Sequence, residues 1–165
     1  MTHREAVRAL ILTPARELLL LRVRVPEIAE PFWIAPGGGL EPGELAEDGL
    51  RRELQEEVGL SDFELGPLVW RRQHTFTFKG CRICQRESYY IVRAGRFQPR
   101  MSDVVESEFV LEFRWWPVSS LCRTSERLTP LTLAPIVEKF LAEGRRGRRR
   151  TSKCWWTEQT GRLRR

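Results

Sequence analysis

Residues 38–60 read GGLEPGELAEDGLRRELQEEVGL, and this stretch decides the fold. Pro42 and Gly43 punctuate a turn. Residues 44–58 then run without proline and are rich in Glu, Leu, Arg and Gln, all good helix formers. Gly59 follows the last periodic apolar residue, Val58, where a helix ending in a left-handed residue places glycine. The predicted helix has two faces. Leu50, Leu54 and Val58 recur at a spacing of four and form an apolar stripe suited to packing on a sheet. Glu53, Glu56 and Glu57 span an arc of roughly 100° on another face, with Glu53 at its centre. Like charges at this spacing repel by a few tenths of a kcal/mol per pair, and a hard divalent cation taking oxygen ligands relieves that repulsion. An acidic run by itself is ordinarily a solvated helix face. Here the glycine turn, Glu44, Arg52 and Gly59 all fall in register around it. Gly49 costs about 1 kcal/mol relative to alanine in a helix interior and is expected to let the helix pack closer on the sheet.

Gly38, Glu44, Arg52, Glu53, Leu54, Glu56, Glu57, Gly59 and Leu60 fill the nine fixed positions of the pattern G-x5-E-x7-R-E-U-x-E-E-x-G-U, where U is aliphatic. The stretch resembles the Nudix box, and the preceding FWIAPGG at residues 32–38 resembles that family's usual entry into it. The resemblance implies an α/β fold, the Nudix α/β/α sandwich with a mixed β-sheet. It implies hydrolysis of the diphosphate linkage of a nucleoside diphosphate derivative: a nucleoside triphosphate, a nucleotide sugar or a dinucleoside polyphosphate. It also implies Mg²⁺ or Mn²⁺ as cofactor, held by Glu53, Glu56 and Glu57. Glu53 is the first choice for activating water. Arg52 is implied as an orienting partner of a glutamate, with Glu44 paired structurally to that arginine. Gly38 and Gly39 are expected to allow close backbone approach to the substrate. The alternatives are an RNA 5′-pyrophosphohydrolase and a non-catalytic Nudix-fold module that binds nucleotide or RNA.

Outward from the box, residues 6–13 and 17–23 alternate as strands joined by a turn at 13–16, and residues 32–35 form a short strand. Strands are expected at 65–72, 75–79 and 87–94, with a turn at 80–82, and at 109–116, stopped by Pro117. A final helix is expected over 135–143, with Gly144 as its stop. Hairpin-type links rather than regular βαβ alternation favour a mixed sheet with helices on its faces.

Substrate selectivity is sought outside the box. One of Arg71 or Arg72 faces the cleft, since strand neighbours alternate, and Arg72 is the candidate phosphate ligand. Glu106 and Glu108 are candidates for an additional metal ligand or base, a role the resemblance places in this region. Trp115 and Trp116 cannot both face one core in a regular strand. Cys81 and Cys84 form a lone C-x-x-C without the second pair that a structural zinc site needs.

The formal net charge of +6 is unevenly spread. Residues 145–165 hold nine Lys or Arg and one Glu, whereas residues 1–144 hold 19 basic and 21 acidic residues. The expected organisation is therefore a Nudix domain over 1–144 and a basic, disordered tail over 145–165. The tail suits weak contact with RNA or an anionic surface. No apolar run reaches the roughly 18–20 residues of a membrane span. Four dispersed cysteines fit a reducing, cytoplasmic setting. A nucleotide is the expected small-molecule partner, and the resemblance is compatible with a homodimer.

Overall fold

Alternation along the first strand splits its apolar residues between two cores. Val7, Ala9 and Ile11 point to one side of the sheet, Leu10 and Leu12 to the other. The computed structural model describes residues 1–102 and 108–145. Glu106 and the tail beyond residue 145 lie outside the described residues. The elements run β1 (Thr2–Leu12), β2 (Glu17–Val23), β3 (Phe32–Ile34), α1 (Ala46–Val58), β4 (Glu64–Phe78), β5 (Cys81–Arg93), β6 (Val110–Pro117), α2 (Val118–Leu121), β7 (Leu128–Thr129) and α3 (Leu133–Arg145).

The strands form one sheet in the order β4-β5-β1-β2-β3-β7, with β6 paired to β2. β1 lies parallel to β5 along its whole length, from Thr2 opposite Ile83 to Leu12 opposite Arg93. Its antiparallel pairing with β2 is confined to the turn end, Leu12 opposite Leu18. Beyond that point the free edge of β1 takes the segment 36–40 instead. Val7 N–H donates to Gly38 O at 2.9 Å, Ala9 N–H to Pro36 O at 2.8 Å, and Leu40 N–H to Glu5 O at 2.9 Å. The glycine turn is thus stitched to the central strand.

Helix α1 covers one face. Leu50, Leu54 and Val58 are buried against Val7, Ala9, Ile11, Leu19 and Leu21, as the apolar stripe predicts. Each such side chain contributes on the order of 1.5–3 kcal/mol on burial. Helix α3 covers the other face through Leu133, Ala134 and Val137, packed with Leu10, Leu12, Trp33, Trp70, Tyr89 and Trp116. Helix, sheet, helix is the expected sandwich. Trp115 and Trp116 go to opposite cores, and Trp115 Nε1 donates to Phe97 O at 3.1 Å.

Several boundaries differ from expectation for identifiable reasons. The predicted strands at 65–72 and 75–79 are one strand, because the ladder runs through the polar residues Gln73 and His74, opposite Arg86 and Gln85. The turn is Lys79-Gly80, with φ of 48° and 75°, so Cys81 and Arg82 belong to β5. Helix α3 begins at Leu133 with Pro135 inside its first turn, where the missing N–H costs nothing. Gly144 lies within that helix rather than ending it.

Candidate active site

The glycine segment is shaped by what lies against it. Gly37 has φ of +130°, and a Cβ there would come 2.2 Å from Val7 O, so only glycine fits beside β1. At Gly38 a Cβ would come 2.4 Å from Glu53 Oε2. The missing side chain is what allows a helix carboxylate to sit on the loop backbone.

Helix α1 ends as predicted, with Gly59 left-handed at φ 72°. Its acidic face is unevenly exposed. Glu53 and Glu57 each keep 7% of their surface, while the Glu56 side chain keeps 49%. Glu57 Oε2 accepts the Gly37 N–H at 2.6 Å. Arg52 gathers most of the remaining charge. Its guanidinium grips both oxygens of Glu44, each at 2.9 Å, and donates to Glu53 at 2.8 Å, Glu56 at 3.2 Å and Gly39 O at 3.0 Å. Hydrogen bonds from Arg52 and from the Glu41 N–H hold the Glu44 carboxyl down at about 2. Arg52 is correspondingly pushed above its ordinary range, chiefly by its hydrogen bond to Glu44. One cation therefore ties the loop, the first turn of the box and two helix carboxylates together. Among the described residues no three His, Cys, Asp or Glu side chains converge closely enough to hold a metal ion as they stand.

A second charged cluster backs onto the loop from the sheet. Glu87, 2% exposed on β5, accepts from Arg8 Nε at 3.1 Å, Arg72 Nε at 2.5 Å, Gln85 Nε2 at 2.8 Å and Tyr89 OH at 2.9 Å. His74 Nε2 stands 3.5 Å from Glu87 Oε2, in range of an ion pair but without hydrogen-bond geometry. Burial pushes the Glu87 carboxyl up, but Arg8, His74 and Arg72 outweigh it and hold the group well below the usual carboxylate range. Burial and the neighbouring Glu87 push the Tyr89 hydroxyl up. Arg8 also donates through Nη1 to Gly37 O at 2.5 Å and Ala35 O at 3.3 Å. The Gly37 peptide is therefore held from both sides, its N–H by the helix and its carbonyl by the sheet.

A family model for the NUDIX domain matches residues 2–142. The chain belongs to the Nudix family. Its fold superposes on the MutT protein of Methanosarcina mazei Go1 with a TM-score of 0.61 at 22% identity, covering 87% of this chain and 96% of that one. An Ap4A hydrolase from C. elegans superposes with a TM-score of 0.62 at 18% identity, covering 85% and 98%. The NUDIX domain of Shewanella oneidensis NrtR, complexed with ADP ribose, gives 0.61 at 16% identity, covering 86% and 90%. At this identity these likenesses concern the fold alone. The nucleoside triphosphatase NudI of Escherichia fergusonii is 63% identical over 27 residues, which are 16% of this chain and 19% of that relative. The match thus spans about a fifth of the relative's length.

Within this Nudix domain the sequence-derived residues separate by location. Glu53, Glu57, Arg52, Gly38 and Gly39 meet at the junction of the loop and α1, with Glu56 at its rim. Arg72 stands on β4 and is linked to the glycine loop through Glu87 and Arg8. Arg71 is exposed on the other side of the strand. Glu108 lies exposed in the turn leading into β6. Glu112 is engaged with Arg22 and Arg114 on the sheet. Cys81 is exposed and Cys84 buried, both as free thiols. Gly49 serves the loop rather than the sheet, since a Cβ there would come 2.2 Å from Leu40 Cδ2 and 2.9 Å from Glu44 Oε2. Arg8 and Glu87 were not among the sequence candidates. The available signal was a charge interrupting an apolar strand, at Arg8 in AVRALILT and at Glu87 in QRESYYIV.

Proposed function

We propose that this Nudix domain is a divalent-metal-dependent hydrolase that cleaves the diphosphate linkage of a nucleoside diphosphate derivative. The observation that carries this is the pair of nearly buried carboxylates, Glu53 and Glu57, held against the backbone of Gly37 and Gly38. Two carboxylates kept from water beside one another cost stability unless a cation compensates them. Arg52 supplies part of that compensation. The donors are oxygen throughout, and the absence of a side chain at Gly38 lets the Glu53 carboxylate lie against the loop. Such a donor set fits Mg²⁺ or Mn²⁺ better than a softer ion.

Glu53, Glu56 and Glu57 are the residues that would hold the metal. When bound, it supplies charge neutralisation at the phosphate oxygens and lowers the pKa of water. The chain's own groups do the rest. Arg52 fixes the rotamers of Glu44, Glu53 and Glu56, so the carboxylates meet the substrate pre-oriented rather than paying that entropy during reaction. Glu53 takes a proton from the attacking water. The oxygen of that water bonds to phosphorus as the bridging P–O bond breaks, and the leaving phosphate keeps the electron pair. NudI is named a nucleoside triphosphatase, and its short match supports a nucleotide substrate here.

The test is a panel of nucleoside triphosphates, nucleotide sugars and dinucleoside polyphosphates with Mg²⁺ or Mn²⁺, scored for released phosphate or pyrophosphate. Glu57→Gln runs in parallel. Cleavage of at least one compound, abolished in the variant, is expected. A panel with no turnover, or a fully active variant, refutes the hydrolase.

A further inference from the structure

Three successive peptide groups run through the glycine turn, and the backbone of β1 holds only the outer two. Ala9 N–H donates to the Pro36 carbonyl at 2.8 Å and Val7 N–H to the Gly38 carbonyl at 2.9 Å. Between them, the Gly37 carbonyl takes no backbone donor among the described residues. Its donor is a side chain, Arg8 Nη1, at 2.5 Å. The middle peptide is flanked by Gly37 and Gly38, so it meets the least steric resistance to turning over. Gly37 cannot be exchanged for a stiffer residue, because a Cβ there would come 2.2 Å from Val7 O. The orientation of this peptide therefore rests on a hydrogen bond from outside the turn.

Arg8 delivers that bond from a fixed position. Its planar fork places Nε on Glu87 at 3.1 Å while Nη1 reaches Gly37 O and Ala35 O. Glu87 is in turn held by Arg72, Gln85 and Tyr89. Burial pushes the Arg8 guanidinium down, but Glu87, Tyr89 and Glu57 outweigh it and keep it charged. Arg4, two residues earlier on the same face, lies against Gly39 rather than Gly37. Across the turn, two carboxylates of α1 take their places from it. Glu57 Oε2 accepts the Gly37 N–H at 2.6 Å, and Glu53 lies where a side chain at Gly38 would be. A turn with two orientations would offer these carboxylates more than one resting place.

Resting on the hydrolase function above, we infer that Arg8, braced by Glu87, is a positioning residue for the metal-holding carboxylates: it locks the peptide between Gly37 and Gly38, and with it the seats of Glu53 and Glu57 against the turn. Arg8 acts through the backbone and is not itself a ligand. Groups that orient metal ligands in this way govern affinity for the ion. The apparent affinity falls in proportion to the fraction of molecules holding the competent arrangement. Releasing the peptide should therefore weaken the site even with every carboxylate still in the sequence.

Two readouts on the full chain test this without turnover: Mg²⁺ affinity by calorimetry in the absence of nucleotide, and hydrogen exchange of the Gly37 amide by NMR in metal-free protein. Arg8→Lys keeps the charge beside Glu87 and Glu57 but loses the fork that serves Glu87 and Gly37 together. It should bind Mg²⁺ about tenfold more weakly, as when the competent arrangement is about one-tenth populated, and its Gly37 amide should exchange faster. Glu87→Gln, which removes the brace and leaves Arg8, should move both readouts the same way. In the double variant Mg²⁺ affinity should be no worse than in the weaker single, because the two residues act in series. Tyr89→Phe takes a hydrogen bond from the same carboxylate without touching the turn. It should lower Tm and leave both readouts unchanged. Wild-type affinity and exchange in Arg8→Lys, with its fold confirmed by thermal melting, overturn the assignment. So does equal weakening in Tyr89→Phe, which would make the cluster a support of the fold alone. Cleavage by wild type with undiminished Mg²⁺ affinity in Arg8→Lys leaves the hydrolase standing and removes the lock. Faster Gly37 exchange in Arg8→Lys, in a protein that cleaves nothing, does the reverse.

Discussion

Replacing Glu87 by glutamine removes one charge and almost no volume, so it isolates the electrostatics of the sheet cluster. The Glu87 side chain is 1% exposed, and those of Arg8 and Arg72 are 16% and 13% exposed. In the wild type one carboxylate compensates both guanidiniums, and in Glu87→Gln neither has an anionic partner in the cluster. Breaking a buried ion pair from one side costs about 3–5 kcal/mol, because the surviving charge is left uncompensated. For a domain of this size that corresponds to a Tm lower by about 10–17 °C. The sign with pH follows from the depressed Glu87 carboxyl. Its stabilisation is fully present above the unfolded-state carboxylate pKa of about 4.3 and fades only as pH falls through the much lower folded value. The gap between wild type and variant should therefore persist down to about pH 5 and narrow in acid. Thermal melts of Glu87→Gln, Arg72→Gln and the double variant complete a cycle. The double variant should be more stable than the sum of the single losses requires, since Arg72 no longer faces an absent anion. A Tm drop below about 3 °C, or strict additivity, would refute the assignment of Glu87 as the cluster's counter-ion.

Glu57→Gln should lower kcat by at least about 100-fold, the loss of a few kcal/mol of charge stabilisation, measured by phosphate release. Mg²⁺ at 100 times its Kd should raise wild-type stability by about 2.7 kcal/mol, and in Glu57→Gln differential scanning fluorimetry should record little or no shift at the same concentration. Glu44 keeps its grip on Arg52 down to about pH 2, since its carboxyl is depressed to that point. NMR titration of that carboxyl should therefore find it still ionised at pH 3, and a midpoint near 4 would contradict the clamp.

The box was legible because its information is local. Periodicity of 3.6, a stop glycine and a run of carboxylates all lie within one helix, and the apolar stripe of Leu50, Leu54 and Val58 is buried as written. The Glu44–Arg52 pair came from the family resemblance and stands in the structure. What could not be read is what depends on register between distant strands. Glu87 sits in a run that reads as a half-polar strand, and nothing nearby says that Arg8 and Arg72 will close on it. Gln73 and His74 look like a break in β4 because they are polar, although a backbone ladder needs no apolar side chains to continue. Alternation says that one of Arg71 and Arg72 points inward; the structure turns Arg72 inward, toward a partner on another strand that no local pattern announces.

The parallel pairing of β1 with β5 has a further consequence in time. Thr2–Leu12 leaves the ribosome about 80 residues ahead of its partner, Cys81–Arg93. At roughly 5–20 residues per second, the first strand waits several seconds with that edge unpaired. It is apolar over most of its length, so the nascent chain carries an exposed sticky edge for longer than it would in a protein whose first strand closes a local hairpin. Arg8, in the middle of that strand, is a charge of the sort that discourages premature pairing with another chain. The same side chain that later holds Gly37 would then protect the growing polypeptide before Glu87 exists to receive it.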